Sequence, residues 1–153
     1  MNRRERRAAI ARDKTTKSAA IAADDQVAEA TLAYQQGQFA EAEVICKRVL
    51  ARFAGNTATL NILGLIYQAS GRHRLAVKTF AAAIAADDLD AACHYNIACS
   101  YQAIEQRDSA ATHFKKAIAL GLSGRDVEQF LMRNAVVAEY VKRMTENEYA
   151  RRW

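Results

Sequence analysis

Two stretches of this chain repeat one another at a fixed distance. Residues 63–84 read LGLIYQASGRHRLAVKTFAAAI, and residues 97–118 read IACSYQAIEQRDSAATHFKKAI. Tyr67-Gln68-Ala69 returns 34 positions later as Tyr101-Gln102-Ala103. Ala76 returns as Ala110, Phe80 as Phe114, and Ala83-Ile84 as Ala117-Ile118. The same interval reaches backwards, from Gly71 to Gly37, from Ala76 to Ala42 and from Ile84 to Leu50. Three units follow from this register: 23–56, 57–90 and 91–124.

Within each unit the apolar residues fall at helical spacing in two runs. The runs break at QQGQF (35–39), ASGRH (69–73) and IEQRD (104–108). Gly37 and Gly71 can take the left-handed conformation that ends a helix. Glu105 stands where the third glycine would be, so the third turn is expected to be made differently. One helix–turn–helix of this length cannot bury its own apolar face. Packing against a like neighbour solves that problem, which is the physical reason for a repeat. The 153 residues contain no proline, as suits helices joined by short turns.

The spacing resembles that of the tetratricopeptide repeat (TPR) family, whose pattern is W-x2-L-G-x2-Y, then A-x3-F, then P. The middle unit fits best, with Leu60, Leu63, Gly64, Tyr67, Ala76 and Phe80. The third carries His94, Ile97, Ala98, Tyr101, Ala110 and Phe114. The first departs from the pattern in its first helix (Gln26, Glu29, Ala30, Ala33) and holds it in the second (Ala42, Cys46, Val49, Leu50). The terminal proline is replaced by Ala54, Asp88 and Leu122. The resemblance implies an all-α fold: a right-handed α-solenoid of three helix–turn–helix units over 21–124, closed by a C-terminal capping helix over 125–145. Ser123 is its expected cap, and Val127, Phe130, Leu131, Ala135, Val136, Ala138 and Tyr140 form its stripe. Thr145 and Glu148 have capping-box spacing, so 146–153 is either a short terminal helix or a truncation point.

The formal charge of +5 sits at one end. Residues 1–17 hold seven basic and two acidic groups, and the remaining basic and acidic residues balance at fifteen each. Residues 1–20 therefore read as a basic, disordered, solubilising segment. A short helix over 3–12 would be marginal in isolation. The segment has no aromatic side chain for base stacking, which argues against a nucleic-acid partner. One aliphatic, Ile10, argues against a membrane.

The resemblance also implies that extended peptides or partner helices lie along the first helices of the units. In this register that concave groove presents Val27, Thr31, Tyr34 and Gln35, then Asn61, Leu65 and Gln68, then Tyr95, Asn96, Cys99 and Gln102. Amides can donate and accept toward a ligand backbone, and tyrosines offer apolar area with a polar tip. These positions contain no Lys or Arg, so no carboxylate clamp and little salt dependence are expected. Cys99, if it faces the groove, would be an exposed thiol.

Chemistry finds little footing. Cys93 and Cys99 are roughly 600° apart around a helix, and no C-x-x-C occurs. His94 and Cys46 therefore read as packing residues, with no metal and no cofactor expected. Asp87, Asp88 and Asp90 read as turn and cap residues. No phosphate loop or nucleophile elbow is present, so the chain itself is not expected to be an enzyme. Three cysteines form no disulfide framework, and a reducing, cytoplasmic location is the expectation.

The leading expectation is a protein–protein interaction module for a peptide or partner helix, of undetermined oligomeric state. The opening MNRRERRAA and the segment GLSGRDVEQFL also resemble bacterial chains in which TPR units precede a SAM-dependent methyltransferase or a glycosyltransferase. The alternative is therefore the recruiting part of a larger bacterial transferase.

Overall fold

A computed structural model describes residues 2–122, 124–133, 138, 139, 142, 143 and 146. Among these residues the ordered elements are seven helices: α1 (Arg3–Gln35), α2 (Phe39–Arg52), α3 (Thr57–Ala69), α4 (His73–Ala86), α5 (Ala91–Ala103), α6 (Arg107–Ala119) and α7 (Arg125–Arg133). They fall into two units, residues 1–54 and 55–153. Among the described residues no helix is long and apolar enough to cross a membrane.

In the first unit α1 and α2 pack as a hairpin. Ala23, Ala30 and Ala33 of α1 and Ala42, Ile45, Cys46 and Val49 of α2 are buried. The small residues on α1 permit close approach, and Tyr34 meets Phe39 beside the turn, ring centroids 5.7 Å apart.

The structure corrects the reading of residues 1–20 as disordered. Helix α1 begins at Arg3 and runs without a break for 33 residues, roughly 50 Å at 1.5 Å per residue. Two local features account for this. Asn2 and Glu5 form a capping box: the Asn2 side chain accepts from the backbone N–H of Arg4 and Glu5, and the Asn2 N–H donates to the Glu5 carboxylate at 2.7 Å. No glycine or proline then interrupts the chain before Gly37. The buried half of α1 bears the nucleation cost, so the exposed half only propagates a helix already formed. Asn2 to Ser18 are all exposed.

In the second unit α3/α4 and α5/α6 are successive hairpins, with α4 packed on α5. Their starts are set by matching caps 34 residues apart. Asn56 accepts from the Thr59 N–H at 2.8 Å, and Asp90 accepts from Ala92 and Cys93 N–H at 2.9 and 3.1 Å. Phe80, Ile66, Ile97 and Phe114 are fully buried. Leu122, with Val127 and Leu131 of α7, packs against Ala98, Ala111 and Phe114. Of the expected capping helix over 125–145, Arg125–Arg133 is described as α7. Ser123, Ala135, Val136, Tyr140, Thr145 and Glu148 lie outside the described residues.

The turns overturn one expectation. Gly37, Gly71 and Glu105 all sit at left-handed φ, 75°, 72° and 60°. Glu105 N–H donates to the Gln102 carbonyl and Gln106 N–H to that of Tyr101, both at 2.9 Å. Gly71 and Arg72 make the same pair of bonds to Gln68 and Tyr67. The third turn is thus made like the others, because this helix-ending pattern satisfies carbonyls that would otherwise be orphaned. Glutamate bears the conformational cost.

Candidate functional site

The first helix of each repeat carries the residues expected to meet a partner. On α1, Val27, Thr31 and Tyr34 are half-buried and Gln35 is exposed. Thr31 turns its hydroxyl back to the Val27 carbonyl at 2.8 Å, which leaves its methyl as the outward feature.

On α3 and α5 the candidate residues are half-buried, and several are already engaged. Gln68 donates its amide hydrogens to the Asn96 carbonyl at 2.7 Å and to Ser100 Oγ at 2.8 Å. Ser100 donates in turn to the Asn96 carbonyl at 3.2 Å. Asn61 donates to Asp90 Oδ2 at 2.9 Å, while its own Oδ1 is buried without a partner. These amides stitch α3 to α5, with both N–H groups of Gln68 and one of Asn61 bonded within the protein. What Gln68 retains is its carbonyl oxygen as an acceptor, whereas Asn61 Oδ1 is closed off by burial. The sequence reading misses Ser100 and Asp90 as their partners. One signal points to them: Ser100 on α5 and Asp90, which caps it, lie where α3 must touch if the repeats pack in register.

Tyr95 and Cys99 turn toward the α7 end. Tyr95 meets the Phe114 ring at 6.3 Å, and both residues pack against the Ala98–Ala111–Phe114 cluster. The idea of an exposed Cys99 thiol is corrected. Burial pushes its pKa up to about 11, against a smaller opposing effect of a hydrogen bond with Tyr95. Burial likewise raises Cys46 to about 11 and Cys93 to about 12. All three are protonated thiols near neutral pH, poor nucleophiles and poor metal ligands as they stand. Leu65 and Gln102 complete the set on the same two helices, and the seven α3 and α5 residues carry no formal charge.

The acidic turn divides its work. Asp90 caps α5, and Asp87 accepts from the Leu89 N–H at 3.0 Å. Asp88 instead pairs with His94 and with Lys116 Nζ, 3.1 Å away. His94, expected as a packing residue, is 3% exposed, yet its ring meets that of His113, ring centroids 5.2 Å apart. The hairpin brings together two histidines that the sequence separates by nineteen residues.

Residues 33–98 and 91–120 each match the tetratricopeptide repeat, together more than half of the chain. The chain belongs to the tetratricopeptide-repeat family. Solved TPR structures agree. The first TPR domain of Spaghetti, bound to an HSP90 peptide, superposes with a TM-score of 0.71 at 12% identity, over 78% of this chain and 93% of that one. The Yersinia enterocolitica secretion chaperone SycD, in complex with a peptide of the translocator YopD, gives 0.67 at 16% identity, over 80% and 93%. A variant of the Thermobaculum terrenum O-GlcNAc transferase gives 0.65 at 28% identity, over 67% of this chain. The chain spans only 20% of that transferase's length. No curated protein matches the chain.

Proposed function

We propose that this TPR chain is a non-catalytic interaction module that holds a peptide or partner helix along α3 and α5. Leu65, Tyr95 and Gln102 are the main contacts. Cys99 and Asn96 border them, and Asn61 and Gln68 hold the two helices in place, with the Gln68 carbonyl as an acceptor. Val27, Thr31, Tyr34 and Gln35 form a corresponding face on α1, within their own unit. The observation that carries this reading is the Gln68 bridge to Asn96 and Ser100. It sets α3 and α5 side by side with half-buried, uncharged side chains between the caps and the turns. Apolar area around Leu65 and Tyr95 would supply affinity. Amide acceptors would read ligand N–H groups.

The test uses the full chain against a displayed library of short peptides. Selected peptides should bind the wild type with little dependence on salt, because no cation lines the site. They should lose about tenfold or more in affinity against Leu65→Ala combined with Gln102→Ala, as befits loss of contacts buried in the complex, while far-UV circular dichroism shows the variant still helical. Equal binding to both proteins would remove the α3–α5 face as the site.

A second reading has its own support. The likeness to the O-GlcNAc transferase, at 28% identity over two thirds of this chain, fits a recruiting segment whose catalytic part lies elsewhere in a larger glycosyltransferase. Reading the gene beyond the Trp153 codon tests this. An open frame that encodes a transferase favours it, and a stop codon there ends it.

A further inference from the structure

The second repeat places Leu60 where the third places His94, and both side chains are buried. A buried imidazole must satisfy two nitrogens, and His94 does so in an informative way. Its Nε2 lies 3.2 Å from both the carbonyl oxygen and Oδ1 of Asp88. Lys116 is the main cause holding the Asp88 carboxyl below its usual range, so both oxygens act as acceptors and Nε2 carries the hydrogen. The Nδ1 of neutral His94 then presents a lone pair. It lies 3.0 Å from Nδ1 of His113. The ring centroids are 5.2 Å apart and the planes differ by 28°. The centroids are farther apart than the nitrogens by about one ring width, so the rings meet edge to edge. His113 must therefore donate its Nδ1–H to His94. A tetrahedral metal would set the two nitrogens roughly 3.3 Å apart and need further ligands, and no group of three or more His, Cys, Asp or Glu placed to hold a metal occurs among the described residues. The observed gap fits a single hydrogen.

We propose that the His94–His113 contact is an acid-released catch, which joins α5 to α6 while at most one imidazole is charged and opens when both are. One added proton leaves a charge-assisted N–H···N bond in place. A second puts two N–H groups head to head across 3.0 Å. Around the pair, Asp88 faces it from the α4–α5 turn, Lys116 reaches that carboxylate from α6, and Tyr101 on α5 stacks on the His113 ring, ring centroids 5.5 Å apart. Asp87 and Asp90 share the turn, with Asp90 committed to the cap. The other ionisable groups on the packed helices are mostly turned to water: Arg74 and Lys78 on α4 and Arg125 and Glu128 on α7 are exposed or half-buried, and His73 is half-buried. One carboxylate, already shared with Lys116, has to serve two imidazolium ions.

The direction of the pH effect follows. Burial, then the neighbouring His94, holds the His113 pKa below its usual value, with Asp88 opposing weakly. A histidine depressed in the folded state adds stability above its unfolded value of about 6.5. That stability is lost as pH falls through the folded value. Asp88 acts lower, where carboxylates protonate, and stays out of this window.

The test compares urea unfolding of the full chain at pH 7.5 and pH 5.0 with that of His113→Gln, whose amide can still donate to His94 but does not titrate. The wild type should lose more stability on acidification. The ratio of its unfolding constants at the two pH values should exceed that of the variant by about threefold or more. Equal ratios overturn the catch. Nitrogen NMR of the wild-type rings gives a reading that needs no variant. At pH 7.5 His94 should show an unprotonated Nδ1 and His113 a protonated one. Ring signals and α5–α6 contacts unchanged between pH 7.5 and 5.0 overturn the proposal.

Discussion

The hairpins α3/α4 and α5/α6 occupy equivalent places in successive repeats and are built from different materials. The first packs Leu60, Ile66 and Gly64 where the second packs His94, Ser100 and Ala98, and all six are buried. It turns on Gly71 where the second turns on Glu105. The backbone plan is the same: caps 34 apart, the same left-handed residue, the same pair of turn hydrogen bonds. The TPR register therefore tolerates buried polar residues, provided that each finds a partner. Ser100 has Gln68 and the Asn96 carbonyl, and His94 has Asp88 and His113. Apolar burial holds under most conditions. Hydrogen bonds between titratable groups hold only in one protonation state, so the second hairpin should be the conditional one.

The largest expected effect tests whether the two cores are equivalent where their residues agree. Phe80 and Phe114 are both fully buried. Removing either ring should cost about 3–5 kcal/mol, the usual range for a core aromatic. Phe114→Ala should also release α7, since Val127 and Leu131 pack against the Phe114 cluster. Urea unfolding measures the cost, and hydrogen exchange of the α7 amides measures the release. Unchanged α7 protection in Phe114→Ala would detach α7 from this core.

The next tests where the cores differ. A Cβ on Gly64 would lie 2.5 Å from Phe80 Cε1 and 2.6 Å from Cζ, and the buried ring has no room to retreat. Gly64→Ala should cost about 1–3 kcal/mol by overpacking, even though alanine is the better helix former. The partner repeat carries that methyl already, in Ala98. The reverse change, Ala98→Gly, should cost about 1 kcal/mol through helix propensity. Thermal melts of the pair distinguish the cases. A Gly64→Ala protein as stable as the wild type would mean that Phe80 is not held where the structure places it.

Much of this architecture is legible in the order of the residues. Helical spacing and a 34-residue period carry the all-α hairpin fold, because both follow from which faces must be buried. Tyr67 and Tyr101, or Phe80 and Phe114, announce themselves by interval alone. The misleading signals share a cause. Charge density on residues 1–17 suggests disorder, but the Asn2–Glu5 box and the missing breaker decide local conformation, and charge does not. Residue type at Glu105 suggests a different turn, whereas the neighbouring carbonyls set its φ. The meeting of His94 and His113 is hidden by sequence distance: α6 runs back along α5, so residues on either side of the turn come together. The candidate face is the hardest to read. Interval places Asn61 and Gln68 on α3, but whether their amides meet water or α5 depends on ångström-scale packing that no spacing encodes.

The smallest effect addresses the turns, where comparison is cleanest. No atom lies within 4 Å of a Cβ placed on Gly71, so a side chain there changes only the backbone preference. A left-handed conformation costs an L-residue about 1–2 kcal/mol. Glycine avoids that cost but loses more chain entropy on folding, by about 0.5–1 kcal/mol. Gly71→Glu should therefore destabilise by up to about 1 kcal/mol, and Glu105→Gly should stabilise by a similar amount. Urea midpoints at constant m-value resolve changes of this size. Opposite signs at positions 71 and 105 would establish that the third turn keeps the shared geometry at a cost its residue type imposes. If Glu105→Gly destabilises instead, the glutamate side chain must contribute a compensating interaction, and the two turns are alike in shape only.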